Sequence, residues 1–113
     1  MKSLKIKIME EKKVIIDTDH VMSLILSNKY RDSVSYVVRK FYEAMKICIT
    51  EKGGEEITNF LFETIKIEEP EIEEKEICSL LILLAMQDKE EFFELIRCAL
   101  LKIGMKLIEK EEA

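Results

Sequence analysis

The stretch Ile77-Cys78-Ser79-Leu80-Leu81-Ile82-Leu83-Leu84-Ala85-Met86 carries no charge, in a chain of which 36% is Asp, Glu, Lys or Arg. If helical, it is apolar on every side, and such a helix has to be covered on every side. The run is too short for a bilayer span, which needs about 20 apolar residues. The acids from Glu71 to Glu76 before it and from Asp88 to Glu91 after it would also be costly in lipid. A chain of 113 residues has little spare material for wrapping a central helix. The expectation is therefore a helical core shared between subunits.

The elements around this run follow from periodicity. Leu4, Ile6 and Ile8 alternate with Ser3, Lys5 and Lys7, the pattern of a half-buried strand. Lys13-Val14-Ile15-Ile16 is β-branched and reads as a second strand, so that residues 4–16 would form a hairpin or a strand shared between chains. Asp17, Thr18 and Asp19 offer cap oxygens for a short helix over residues 19–28. Asn28 to Ser33 reads as a loop. Beyond it, Val34, Val37, Val38, Phe41, Met45, Cys48 and Ile49 keep helical spacing, and Gly53-Gly54 reads as the stop of that helix.

A further helix carries Ile57, Phe60, Leu61 and Ile65 inward and ends before Pro70. Pro70 also suits the start of the helix that holds the uncharged run, with Glu71, Glu73 and Glu74 favourable at its N-terminus. Asp88-Lys89-Glu90-Glu91 resembles a capping box with Asp in the Ser/Thr place. The last helix then runs to about Lys110. Its apolar residues cover more than one stripe, and large uncovered patches mark interfaces. The fold expected is mostly α: about five helices, a short N-terminal β-strand or hairpin, and a helical core shared in a homodimer or higher homo-oligomer. The expected interface is Ile77, Leu80, Leu81, Leu84, Phe92, Ile96, Leu100 and Ile103.

Charge is distributed unevenly. Residues 1–46 hold ten Lys/Arg against six Asp/Glu, whereas residues 47–113 hold eight against seventeen. The chain thus divides into a basic β-α-α segment, 1–52, and an acidic helical segment, 53–113, within one compact domain. A split of this kind gives the two halves different partners, a polyanion for the first and a basic protein for the second, or else is only a solvated surface. The Glu71–Glu76 cluster reads the same two ways. Tyr30, Tyr36 and Tyr42 offer rings either for stacking on RNA or for packing at a dimer edge. The lean on Glu, Lys and Ile is common in proteins from hot environments.

The start of the chain is polar and basic, without an apolar signal core, and with no membrane span the expected location is the cytoplasm. Cys48, Cys78 and Cys98 lack metal-like spacing and read as buried free thiols. His20 is the sole histidine, so neither a zinc site nor a Ser-His-Asp set assembles. Three glycines make no phosphate loop. No metal and no cofactor is expected.

Two resemblances meet in residues 12–46. The stretch Val14-Ile15-Ile16-Asp17, a short helix, a loop and Ser33-Val34-Ser35-Tyr36-Val37-Val38-Arg39 together resemble the ribbon–helix–helix family of DNA-binding regulators and antitoxins. There a strand and a helix precede a second helix opening on a pattern like Ser-x-x-Ile/Val-Arg, matched here by Ser35-x-x-Val38-Arg39. The resemblance implies a dimer whose paired strands enter the DNA major groove, while the second helix's N-terminus holds a phosphate. Carried onto this chain, Lys13 and Ile15 (or Lys12 in a shifted register) would face the bases. Ser33 and Ser35 would meet a phosphate with Lys29 and Arg31 nearby, and Lys5 and Lys7 lie on the earlier strand. The departures are Ile15, apolar where a polar reader is usual, and Asp17, which would repel phosphate.

The segment Val14-Ile15-Ile16-Asp17-Thr18-Asp19-His20 also resembles the opening of PIN-type ribonucleases, in which a buried strand ends in Asp-Thr and the Asp helps to hold a divalent metal. Glu43 and Asp88 are the other acids available, without later strands to gather them; Asp17 and Thr18 read equally as helix caps. The functional expectation is a small DNA-binding transcriptional regulator with a C-terminal dimerisation module rather than an enzyme. The alternatives are a helical protein-interaction module without DNA binding and, third, a degenerate PIN-like nuclease.

Overall fold

The computed structural model describes residues 13–104, and these form five helices: α1 (Thr18–Leu26), α2 (Tyr30–Ala44), α3 (Glu51–Glu68), α4 (Glu74–Gln87) and α5 (Lys89–Ala99), the last running into a π-helical turn, Leu100–Gly104. Among the described residues there is no strand. The expected β element is thereby corrected at Lys13–Ile16, while its first half, Leu4–Ile8, lies outside the described residues. The alternation that suggested a strand is real: Val14 and Ile16 pack against the core and Ile15 is 79% exposed. A strand, however, also needs a neighbour to accept and donate its backbone hydrogen bonds, and among the described residues there is none. The segment instead runs into α1, where the Asp17 side chain caps the helix by accepting the His20 N–H at 3.2 Å.

Helix α2 is the hub, packed against α1, α3 and α4. Its inward stripe, Val34, Val37, Val38, Phe41 and Tyr42, is fully buried or nearly so. The Phe41 ring lies 4.5 Å from that of Phe92 and 4.8 Å from that of Phe93, and Tyr42 donates its hydroxyl hydrogen bond to the Ile96 carbonyl. Those contacts bind α2 to α5. Burial pushes the Tyr42 phenol well above its ordinary range, since a phenolate could not be solvated there.

The glycine pair is also corrected. Gly53 and Gly54 do not stop α2, which ends at Ala44 and turns through Lys46 at φ 63°. They lie in the first turns of α3, whose cap is Thr50, accepting the Gly53 N–H at 2.9 Å. Gly54 sits where α3 crosses α2: a Cβ there would come within 2.8 Å of Arg39 Cγ and 3.4 Å of Ser35 Oγ. The glycine permits a close approach of α3 to α2. Cys48 and Ile49 fall in the α2–α3 connection, not on a helix. Pro70 likewise sits in a turn, four residues before α4 begins.

Candidate functional site

The uncharged run forms most of α4. One side of that helix faces the core through Ile77, Cys78, Leu81 and Ala85, all buried. The opposite side carries Leu80, Leu83 and Met86, which remain 54%, 52% and 46% exposed. Spaced i, i+3, i+6, they make one continuous stripe. Sequence inspection registered the run as apolar all round but did not single out this triplet. The run alone does not single it out, because the buried stripe of Ile77, Leu81 and Ala85 is set by how α4 is rotated against α2.

The stripe runs between two depressions. On one side an open groove of about 980 Å³ lies between residues 69–73 and α4, floored by Ile72, Leu80 and Leu83 and rimmed by Glu69, Glu71, Glu73 and Glu76. On the other, a mainly apolar cleft of about 100 Å³ is framed by Met22 and Ile25 of α1 and by Ile82 and Met86 of α4. Met22 is 51% exposed. An apolar band thus extends from Ile72 along α4 to Met22.

Polar contacts at its base hold α4 in place. Glu73 caps the helix in a reciprocal box with Glu76, which accepts the Glu73 N–H at 3.2 Å. Glu74 Oε2 accepts from Arg31 Nε at 3.0 Å, from Arg31 Nη2, and from Lys66 Nζ at 3.0 Å. Arg31 also donates to Asn59 Oδ1 at 2.7 Å and Glu63 Oε2 at 3.2 Å, with its guanidinium carbon 4.8 Å from the Phe62 ring centre. The Arg31 hydrogen bonds, then that of Lys66, hold the Glu74 carboxyl below its ordinary pKa. The same pairing raises that of Arg31. Arg31 therefore joins α2, α3 and α4.

This placement bears on the residues assigned to DNA. Ser33 is buried, donating to the Tyr30 carbonyl at 2.7 Å and sharing a hydrogen bond with Cys78 Sγ at 3.2 Å. Ser35 is buried under Gly54. Lys13 and Lys29 are exposed, and Lys5, Lys7 and Lys12 lie outside the described residues. Among the described residues of the set, Ser33 and Ser35 are in the interior and Arg31 is engaged by carboxylates.

Of the residues assigned to a dimer interface, Ile77, Leu81, Phe92 and Ile96 are buried within the single chain, and Leu84, Leu100 and Ile103 pack partly against its core. Leu80 alone among them is exposed. Phe92 and Phe93 of α5 are covered by their own chain, both reaching Phe41. Of the cysteines only Cys78 is buried; Cys48 and Cys98 are exposed.

The acids named for metal binding are dispersed. Asp17 caps α1, Glu43 lies 3.5 Å from Lys40 Nζ, and Asp88 caps α5 by accepting the Glu91 N–H at 3.1 Å. Among the described residues no group of three or more His, Cys, Asp or Glu could hold a metal ion. His20 packs edge-on to Tyr36, whose hydroxyl accepts the Asp17 N–H at 3.1 Å. No helix among the described residues is long and apolar enough to cross a membrane. No family model matches the chain, and no curated protein or solved structure matches it.

Proposed function

We propose that this chain is a helical protein-interaction module that binds its partner through the outer face of α4. The observation that carries the reading is the stripe Leu80, Leu83 and Met86, half exposed on a helix whose other side is core. Burying a Leu or Met side chain is worth roughly 2 kcal/mol, so covering these three half-exposed chains yields about 3 kcal/mol before any other contact. Ile72, Met22 and the α1–α4 cleft extend the surface. Arg31, Glu74 and the capping box fix α4 beforehand, so little ordering cost is left for the binding step. The methionines at one end can adjust to a partner's shape.

This reading uses what the rest of the molecule leaves unused. A phosphate-binding role for the start of α2 would have to draw on Ser33 and Ser35, which are buried. A nuclease role would have to draw on acids already spent as caps and ion-pair partners. The test is site-specific photocrosslinking of the full chain in its native cells. A photoreactive residue at position 80 or 83 is expected to give a discrete protein adduct, and one at exposed Glu55 on α3 is not. Failure at both α4 positions, with folding intact by circular dichroism, removes the reading.

A further inference from the structure

Resting on that reading, we infer that the partner presents a basic amphipathic helix, with its apolar stripe on Leu80, Leu83 and Met86 and its Lys/Arg flank along the acidic rim of the groove. The argument is charge complementarity around an apolar floor. Glu69, Glu71, Glu73 and Glu76 line the groove beside a single cation, Lys75. None of the four forms an ion pair among the described residues. The nearby cations that could neutralise them are committed elsewhere, since Arg31 and Lys66 both serve Glu74. The far end of α4 is acidic too, with exposed Asp88, Glu90 and Glu91 beside Lys89.

A second copy of α4 laid on the first, parallel or antiparallel, would set acid against acid at both ends. Like charges at an interface cost affinity. A basic helix reverses that sign at each end while supplying the same apolar contacts. Apolar anchors at i, i+3 or i+4, and i+7 are what a groove between helices takes up. The 14 residues of α4 span about 21 Å, so a partner helix of three to four turns matches the band.

The experiment titrates the full chain with two fluorescently labelled synthetic helices as long as α4, one built of Leu and Lys and the other of the same pattern with Glu for Lys. The Leu/Lys helix is expected to bind and to lose about tenfold in affinity between 50 and 300 mM salt, as screening shortens the Debye length from about 14 to about 6 Å. Leu83→Asp should abolish binding, and the pair Glu69→Lys with Glu71→Lys should weaken it at least tenfold. Equal binding of the Leu/Glu helix, salt-insensitive binding, or no binding of the Leu/Lys helix at about 100 μM overturns the inference. So does a dimer of the chain itself that Leu83→Asp dissociates, which would make the occupant a second copy. A crosslink at position 80 together with any of these results rejects the basic helix and leaves the interaction reading standing. Loss of the crosslink as well rejects both.

Discussion

Two leucines on α4, two residues apart, give the sharpest test of the packing. Leu81 is 4% exposed and Leu83 is 52% exposed, so the same substitution to Ala should have unequal effects. At Leu81 it removes a buried side chain and leaves a cavity in the core, at a cost of about 3 kcal/mol. At Leu83 only about half of the side chain is out of water and no closed cavity results, so the loss is about 0.5–1 kcal/mol. Helix propensity barely enters, because Ala and Leu are both strong helix formers. The assay is urea unfolding followed by far-ultraviolet circular dichroism at low micromolar concentration. The midpoint should fall steeply for Leu81→Ala and slightly for Leu83→Ala, with the slope unchanged in both. A loss above about 2 kcal/mol for Leu83→Ala, far beyond its half-share of burial, would show that its side chain is covered in the isolated protein. The outer face of α4 would then not be free to bind.

Other outcomes follow from specific contacts. Glu74 has a folded pKa below its unfolded value, so its ion pairs stabilise the fold above the unfolded carboxylate range and that contribution fades as pH falls through the folded pKa; Glu74→Gln should cost about 1 kcal/mol at pH 7, allowing for its partial exposure, and nothing once the wild-type carboxyl is protonated. Tyr42→Phe should cost about 1 kcal/mol in thermal unfolding. Ultraviolet titration of the folded chain should also lose the Tyr42 phenol, whose ionisation burial pushes above the ordinary tyrosine range. Gly54→Val should cost about 2 kcal/mol or more, because its side chain enters the space of Arg39 and Ser35, and Arg39→Ala in the same chain should recover part of the loss in a double-mutant cycle.

The helical core was legible because burial and periodicity agree along α2. Val34, Val37, Val38 and Phe41 are the residues that the spacing places inside, and they are inside. Boundaries were harder wherever a residue type serves two purposes. Gly53-Gly54 resembles a helix stop, yet it works as a thin place where α3 approaches Arg39. Only tertiary structure separates those uses. Lys29 begins α2 without a side-chain cap bond, so no local signal marked a start at Tyr30. The segment Val14-Ile15-Ile16 alternates as a strand does, because an extended arm lying on a core has the same two-residue period. Ser35-x-x-Val38-Arg39 matches a short pattern, and its positions are accounted for by packing: Ser35 beneath Gly54, Val38 in the core, Arg39 against α3. The interaction stripe was half visible. The run's apolar character pointed to uncovered surface, but which leucines stay uncovered depends on how α4 is rotated against α2. The Arg31 and Glu74 contacts contribute to that rotation, and they join residues 43 apart in sequence.

Methyl resonances of Leu80, Leu83 and Met86 provide the most direct measurement, read with a soluble paramagnetic relaxation agent in the free chain and again with the Leu/Lys helix bound. All three methyl groups should relax strongly in the free protein and become protected in the complex, while Leu81 stays protected in both. Protection of the three in the dilute free chain, or their continued exposure once the helix is bound, would contradict the assignment of α4's outer face as the binding surface.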